Sequence, residues 1–156
     1  MAIISFKSVG RTASTRALET TESTKIPIGI KTPMQSGGSG EGIWAMHFEL
    51  SDQVNDNLRN LILTNWGERL GAYDFGANLR ELTTELVSKE DFESEAIIRI
   101  RDAVAKWMPY VSLRDFEANT QHEENEKTGI INIKITYDIP ALNVQQRALQ
   151  VSLYVI

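Results

Sequence analysis

The sequence predicts an α+β domain, with about three helices packed on one face of a small antiparallel sheet of about three strands, preceded by an extended N-terminal arm. Apolar residues recur at helical spacing between Ser51 and Pro109, and they alternate with polar residues after Pro109. A run of helices followed by a run of strands is typical of the α+β class, in which the helices cover one face of the sheet.

Residues 1–42 are predicted to form an extended arm and linker, and residues 43–156 to form the folded domain. The segment Phe6–Glu22 is rich in Ser, Thr and Arg and has no sustained period, so we expect it to be ordered by a partner surface. The segment Ile26–Gly42 contains two prolines and five glycines, which favour loops and short extended pieces. Its GGSGEG sequence lacks the lysine of a phosphate-binding loop, so a flexible linker is the better interpretation.

The segment Ile43–Leu50 is apolar and could form a short strand or a packed lead-in to a helix. Ser51 is a suitable N-cap for the first helix, which we expect to end near Thr64–Gly67. The second helix should end near Ser88, which also starts the capping box of a third helix that Pro109 stops. The helical positions predicted to face the core are Val54, Leu58, Leu61, Ile62, Leu79, Leu82, Leu86, Phe92, Ala96, Ile97, Ile100, Val104 and Trp107.

The period of two after Pro109 predicts three antiparallel strands, at residues 111–118, 129–139 and 148–156. The polar joins NTQHEENEKTG and PALNVQQR are predicted to be a hairpin loop and a turn. The last strand reaches the final residue, so we expect it to lie at an edge of the sheet. The alternating apolar positions of the last two strands are Ile131, Ile133, Ile135, Tyr137, Ile139, Leu149, Val151, Leu153 and Val155.

The composition excludes several classes of function. No apolar run approaches the roughly 20 residues that cross a bilayer, and the net charge of −5 argues against binding a nucleic-acid backbone. The absence of cysteine excludes disulfides, thiol catalysis and thiolate metal sites. His47 and His122 have no histidine partner near them in sequence, so we predict no metal site and no cofactor. Met1–Gly10 carries no secretion signal, which favours folding in a cytoplasm.

The central stretch Leu63–Leu86, LTNWGERLGAYDFGANLRELTTEL, contains the residues that could carry chemistry. Glu68, Asp74 and Glu81 cluster there, but a glycosidase needs two carboxylates at a separation that sequence spacing does not fix. Glu68 next to Arg69 is explained more simply by an ion pair or a helix-end contact. Nucleophilic catalysis has less support, because the chain has no Gly-x-Ser-x-Gly motif. We therefore predict no catalytic residue.

The same stretch has a structural interpretation, as a loop between two helices. Three glycines supply the backbone freedom of such a loop: Gly67, Gly71 and Gly76. Three aromatic side chains can anchor it to the core or to a neighbouring protein: Trp66, Tyr73 and Phe75. Glu68 and Arg69 would then be charges presented on a fixed loop, where they could serve docking.

The sequence NLRNLILTNWGERLGAYDFGANLRELTTEL resembles the signature of the baseplate wedge and sheath-initiator family of contractile phage tails, the GPW/gene-25-like family, which has a counterpart in type VI secretion baseplates. The matching elements are an Asn-Leu helix, a Thr followed by Gly-Glu-Arg, a Phe-Gly pair and a Leu-spaced helix. The segment Pro27–Met34 resembles the arm of phage members, and the resemblance covers roughly residues 26–156. Many members carry Glu-Pro-Arg where this chain has Met108-Pro109-Tyr110, so the contacts of those two charges are not carried over.

The resemblance implies a role in assembly. Family members lie in the inner baseplate around the tail tube, join the wedge proteins and offer a surface on which the first sheath ring polymerises. It implies as partners the other wedge subunits, the tail sheath protein and tube or hub proteins, repeated around the tail axis, with no nucleic acid and no membrane. The expected location is the tail baseplate of a virion assembled in the host cytoplasm.

An exposed last strand would let a partner add a strand of its own, although it could equally be an ordinary paired strand without a partner. The alternative function is a tail lysozyme that uses Glu68 and Asp74, and a third class is a free regulatory binding module. The residues predicted to form interfaces are Trp66, Gly67, Glu68, Arg69, Phe75, Gly76, Pro109, Leu149, Val151, Leu153 and Val155.

Overall fold

The computed structural model describes residues 26–38, 42–85, 89–122 and 129–155. These residues form three α-helices and two antiparallel sheets, which confirms the predicted α+β class. The described residues divide into two compact units, one on each side of the junction between Gln53 and Val54. In chain order the elements are β1 (Gly29–Ile30), β2 (Met46–His47), α1 (Leu50–Leu63), α2 (Leu79–Glu85), α3 (Lys89–Trp107), β3 (Ser112–His122), β4 (Gly129–Ile139), a 3-10 turn (Pro140–Leu142) and β5 (Val144–Val155).

The first unit contains a two-stranded hairpin. β1 pairs antiparallel with β2, so that Ile30 lies opposite Met46, and His47 is buried. A short strand within Ile43–Leu50 is therefore confirmed. The boundary between arm and domain at residue 42 stays a prediction, and the segment Phe6–Glu22 lies outside the described residues.

The second unit is built on a three-stranded sheet in the order β3-β4-β5. Alternate residues of the central strand lie in the core, and Ile133 lies between Ala118 of β3 and Val151 of β5. The period of two in the sequence thus identifies the inner face correctly. The buried residues of β4 are Ile131, Ile133, Ile135, Tyr137, Asp138 and Ile139.

The helices contribute apolar stripes to the same core. Full burial of one Leu or Ile side chain contributes about 1.5–3 kcal/mol, so this shared cluster is the main source of stability. Ile97 and Trp107 were expected inside but are half-buried, while Ala103 is buried. The buried helical residues of the core cluster are Val54, Leu58, Leu61, Ile62, Leu79, Leu82, Phe92, Ala96, Ile100, Ala103 and Val104.

The start of α1 differs from the prediction. The helix begins at Leu50, and the backbone N–H of Gln53 donates to the carbonyl of Glu49 at 3.2 Å. Ser51 therefore lies in the first turn and is not the N-cap, because the hydrogen-bond ladder starts at Glu49.

The later helix ends agree with the sequence where they can be compared. α3 ends at Trp107, just before Pro109, and α1 ends at Leu63, close to the expected range. Leu86 and the proposed capping box at Ser88 involve residues outside those described.

Two strands are longer than predicted. β3 continues to His122 and β5 already begins at Val144, so parts of both polar segments predicted as loop or turn belong to strands. Each polar extension pairs with β4, as where Asn119 lies opposite Asn132. Polar side chains are tolerated there because alternate positions face solvent, and Gln146 is accommodated by a register shift with a φ of 53°.

Candidate interface at the glycine loop and the sheet edge

The segment Thr64–Asn78, called the glycine loop below, connects α1 to α2. It leaves α1 through Thr64, whose backbone N–H and hydroxyl both donate to the carbonyl of Asn60, at 3.1 and 2.6 Å. Gly67 N–H donates to the carbonyl of Tyr73 at 2.7 Å, which closes the loop on itself. The loop therefore has a defined backbone path.

Glycine is required at one position of this loop above all. Gly76 has a φ of 111°, and a Cβ at that residue would lie 2.1 Å from the carbonyl oxygen of Thr64. Gly67 and Gly71 also have positive φ, but a Cβ at either would meet open space. The predicted glycine joint is present, and Gly76 permits the close approach of the two ends of the loop.

Glu68 fixes the loop from within. Its two carboxylate oxygens accept hydrogen bonds from the backbone N–H of Asn65 at 2.8 Å and from the Asn65 side-chain amide at 2.9 Å. These two hydrogen bonds, the side-chain one first, lower the pKa of Glu68. Glu68 thus makes a contact at the end of α1, one of the two interpretations expected from sequence.

Arg69 has a different partner. Its guanidinium carbon lies 4.3 Å from the centroid of the Phe75 ring, a cation–π geometry. Phe75 packs edge-to-face on Trp107 with centroids 5.2 Å apart, so the arginine rests on an aromatic pair that joins the loop to α3. The two neighbouring charges therefore do separate things: one fixes the loop and the other lies on its aromatic surface.

A second attachment holds the loop to the end of α3. The Lys106 ammonium forms an ion pair with Asp74, and the Trp107 indole N–H donates to the carbonyl of Asp74 at 3.3 Å. The hydrogen bond from Lys106 lowers the pKa of Asp74.

The far end of the loop is held by a network that the sequence did not indicate. Arg99 donates to the carbonyl of Asn78 at 3.0 Å and to Glu81 at 2.9 Å, and it also pairs with Glu95 at 3.3 Å. Asn78 has a φ of 49°, a conformation that Asn tolerates better than most residues. The polar character of Asn78 at a helix start was a usable signal, but nothing in sequence links Arg99 to a loop 21 residues away.

Pro109 lies between Met108 and Tyr110, two residues that line a groove beside the loop. It stands in a turn closed by the Val111 N–H, which donates to the carbonyl of Met108 at 3.0 Å. Met108 is buried and Tyr110 is exposed. The groove has a volume of about 620 Å³ and is called the loop groove below; its lining residues are Asn57, Asn60, Thr64, Glu68, Arg69, Phe75, Trp107, Met108 and Tyr110.

The tip of the loop displays apolar side chains to solvent. Leu70 is 94% exposed, Tyr73 71% and Trp66 56%. Trp66 still donates its indole N–H to the carbonyl of Gly76 at 3.1 Å, so the ring is held in place while one face is open. Exposed apolar side chains on a fixed loop are typical of a contact surface.

The predicted interface residues of the last strand lie elsewhere, on β5. Leu149 and Val151 are buried and Leu153 is half-buried in the core, and the side chain of Val155 lies outside those described. These side chains therefore serve the fold. The start of the glycine loop at Asn65 and the end of β5 share a groove of about 260 Å³.

The carboxylates proposed for hydrolysis do not resemble a general acid. A glycosidase needs one carboxylic acid with a raised pKa. The pKa values of Glu68 and Asp74 are both lowered, by hydrogen bonds from Asn65 and Lys106. Glu81, the third candidate, pairs with Arg99. These three carboxylates are thus engaged in structural contacts.

The described residues contain neither a metal-binding cluster nor a membrane-spanning helix. No group of three or more His, Cys, Asp and Glu side chains within them could hold a metal ion. Within the same residues, no helix is both long and apolar enough to cross a membrane.

Comparison with known proteins gives consistent similarities. A profile of the protein family described as "Baseplate wedge protein gp25" matches residues 49–144. A subunit of the cryo-EM structure of the anti-feeding prophage baseplate is similar in fold, with 17% identity, a TM-score of 0.57, and coverage of 79% of this chain and 90% of that one. No curated protein sequence matches the chain.

A second solved structure has the same fold under a different name. It is a crystal structure of a protein from Geobacter sulfurreducens, provisionally named a tail lysozyme. It is 18% identical, with a TM-score of 0.56, and the match covers 69% of this chain and 93% of that one. At this identity the likeness describes the fold and does not carry an activity over.

Proposed function

The chain belongs to the baseplate wedge protein gp25 family, and on that premise we propose that it joins inner wedge proteins and the tail tube to the first sheath ring, and that it initiates sheath assembly by strand augmentation at β5. A structural role in the baseplate follows from the family. The finer part of the proposal rests on the free edge of the sheet. It implies a location in the tail baseplate of a virion that is assembled in the host cytoplasm.

The uncharged edge of β5 carries the proposal. β5 pairs only with β4 in the described sheet, so its other side presents unpaired backbone groups. The segment Ala148–Val155, ALQVSLYV, has no charged side chain. Long uncharged edges invite another strand, and proteins that must stay monomeric usually protect them with lysine, proline or a bulge.

The opposite edge of the same sheet carries such protection. β3 carries the charged side chains Arg114, Asp115 and Glu117 within residues 112–118, whereas Ala148–Val155 of β5 carries none. The carboxylate of Asp115 accepts a hydrogen bond from the N–H of Phe116 at 2.9 Å, so a backbone donor of β3 is satisfied internally. The contrast between the two edges favours addition of a strand on one side only, as growth in one direction from a baseplate requires.

The glycine loop is proposed as the second contact surface, toward the wedge and tube or hub proteins. The side chains of Trp66, Glu68, Arg69 and Phe75 are held by the contacts described above, so docking would cost little conformational entropy. Rotational symmetry about the tail axis would repeat each contact, so modest interfaces would add up to a stable ring. The proposed contact residues here are Trp66, Gly67, Glu68, Arg69, Phe75, Gly76 and Pro109.

Hydrogen exchange with the tail sheath protein of the same particle tests the strand-augmentation proposal. In the free protein, backbone N–H groups of β5 that point away from β4 should exchange fast, and added sheath protein should protect them. Substoichiometric amounts of the chain should also shorten the lag before sheath rings appear by electron microscopy. Binding of sheath protein without new protection in Ala148–Val155 would overturn the assignment of the edge.

A peptidoglycan-hydrolysis assay tests the alternative function. The wild type and a Glu68→Gln, Asp74→Asn double variant should be equally inactive, because both carboxylates are held in the charged state by structural partners. Robust hydrolysis by the wild type that the double variant lacks would replace the structural proposal with the enzymatic one. Mass spectrometry of purified particles separates both from a free regulatory module, which would be absent from them.

A further inference from the structure

The loop groove contains a positive charge without an acidic partner. Among the residues that the structure describes, no carboxylate forms an ion pair with Arg69, whereas Arg99, Lys106, Arg114 and Lys134 all have one. The other charge in the groove, Glu68, has both oxygens occupied by Asn65. A guanidinium offers paired N–H donors in a plane that matches a carboxylate.

The position of Arg69 is fixed before any partner arrives. Its guanidinium lies over Phe75, which packs on Trp107, which in turn is tied to the backbone of Asp74. An arginine stacked on a ring loses less rotamer freedom when it forms an ion pair. The Arg69 guanidinium is therefore suited to binding one carboxylate.

The other residues of the loop groove indicate which chemical groups should lie next to that carboxylate in the ligand. Met108 is buried, and Phe75 and Trp107 are half-buried, so these side chains give the groove an apolar part. Asn60 and Tyr110 add polar groups at an exposed rim. The negative charge of Glu68 disfavours a strongly acidic occupant, since each further carboxylate would be repelled by it.

We propose that the loop groove binds a segment of a partner protein that carries a single Asp or Glu beside an apolar side chain, with the carboxylate on Arg69 and the apolar group against Phe75, Trp107 and Met108. This inference rests on the proposed function for the existence of such a partner. It assigns different roles to two neighbouring residues: Glu68 positions the loop, and Arg69 binds the ligand.

Binding of three blocked hexapeptides to the full chain tests the proposal. The peptides have one glutamate, glutamine or lysine between leucine residues, and their binding is followed by NMR at the Asn60 amide and the Trp107 indole. We expect the glutamate peptide to bind about two- to fivefold more tightly than the glutamine peptide, because only the glutamate can form an ion pair with the exposed Arg69. The lysine peptide should bind most weakly, and the preference should decrease with added salt.

Variants then assign the preference to Arg69. Arg69→Gln should abolish the difference between the glutamate and glutamine peptides, Arg69→Lys should retain part of it, and Glu68→Gln should weaken all the peptides together by loosening the loop. Arg101→Gln is the matched control, since Arg101 is an exposed arginine of α3 that does not line the groove. Equal affinity of wild type for the glutamate and glutamine peptides, or an equal effect of the Arg101 variant, would overturn the proposal.

The outcome is separable from that of the proposed function. Sheath nucleation is assigned to β5 and peptide binding to the loop groove, so the two measurements on the wild-type chain report on different surfaces. A chain that fails to nucleate sheath but keeps the peptide preference would refute strand augmentation alone. A chain that nucleates sheath without any peptide preference would refute only the groove.

Discussion

The carboxylate of Asp138 on β4 accepts a hydrogen bond from the backbone N–H of Gln146 on β5, at 2.7 Å. Its other oxygen is bound by Arg114 of β3, so one buried side chain links all three strands of the sheet. Both outer strands are irregular at these contacts, with register shifts between Leu113 and Asp115 and between Tyr137 and Ile139. Asp138 therefore holds β5, the strand proposed to accept the sheath, at the place where its pairing changes register.

Asp138→Asn should lower the urea midpoint of unfolding at pH 7. The hydrogen bond from Gln146 and then that from Arg114 lower the pKa of Asp138 in the folded state. A lowered folded pKa stabilises the protein above the unfolded pKa of roughly 4, and this contribution is lost as pH falls toward the folded pKa. The difference between wild type and variant, measured by urea unfolding, should therefore be full at pH 5–7 and shrink below about pH 4.

Asp102→Asn serves as the control for this prediction, because Asp102 is exposed on α3 and forms no ion pair within the described residues. It should leave the midpoint almost unchanged at neutral pH. A difference between wild type and Asp138→Asn that stays constant from pH 7 to the lowest pH measured would show that the stabilisation does not come from the charged carboxylate.

Gly76→Ala should destabilise the domain by about 3 kcal/mol or more, because it combines a strained φ with a collision. The new Cβ would lie 2.1 Å from the backbone oxygen of Thr64, which cannot rotate away. Gly71→Ala is the matched variant, since its φ is also positive but its Cβ meets nothing within 4 Å. It should cost only about 1–2 kcal/mol, the price of the left-handed conformation alone.

Thermal and urea unfolding would measure both glycine variants. Equal losses at the two positions would mean that the loop can move away from Thr64, and the close approach at Gly76 would then not be a constraint on the fold.

Periodicity in the sequence predicts the core well, because burial repeats with the geometry of each element. Leu58 and Leu61 are buried at helical spacing, and Ile133 and Ile135 at strand spacing. The ends of β3 and β5 were predicted poorly. Their polar residues are held in strands by pairing with β4, and local composition carries no information about that pairing. Asn119, for instance, lies within β3, although the polar residues that follow it predicted a hairpin loop.

In the candidate site, too, features set by a single residue type could be predicted from the sequence, whereas contacts between distant residues could not. The glycines of the loop could be identified in the sequence, because positive φ requires a particular residue type. The partners of the charged side chains could not be identified, since the Arg69 guanidinium lies over the ring of Phe75, six positions along the chain, and Asp74 of the loop pairs with Lys106 on α3. Only the fold decides which of the two neighbouring charges, Glu68, is used within the loop and which, Arg69, has no acidic partner among the described residues.

Tyr137→Phe should cost about 1 kcal/mol, the usual net value of one hydrogen bond. Tyr137 is fully buried on β4, and its hydroxyl donates to the side-chain oxygen of Asn55 on α1 at 2.8 Å. This bond ties the first helix of the core to the centre of the sheet. A double-mutant cycle with Asn55→Ala, measured by urea unfolding, should give a coupling energy of about 0.5–1.5 kcal/mol. Additive losses would mean that the two side chains do not interact in solution.

Ala148→Lys should separate stability from assembly. Ala148 is exposed on β5 and lies opposite Thr136, so a lysine there meets no like charge directly across the strand pair. Its effect on the free energy of unfolding should be within about 0.5 kcal/mol, as for most surface substitutions. A charge on an otherwise uncharged edge strand opposes the addition of another strand, so nucleation of sheath rings should slow at equal protein concentration.

Asn119→Lys places the same charge on an exposed position of β3, the edge already protected by Asp115 and Glu117. This control should fold and nucleate sheath as the wild type does, because the sheath strand is expected only at β5. Electron microscopy of rings formed at a fixed ratio of chain to sheath protein compares the two variants directly. Slower nucleation by Asn119→Lys, with Ala148→Lys unaffected, would move the proposed docking edge from β5 to β3.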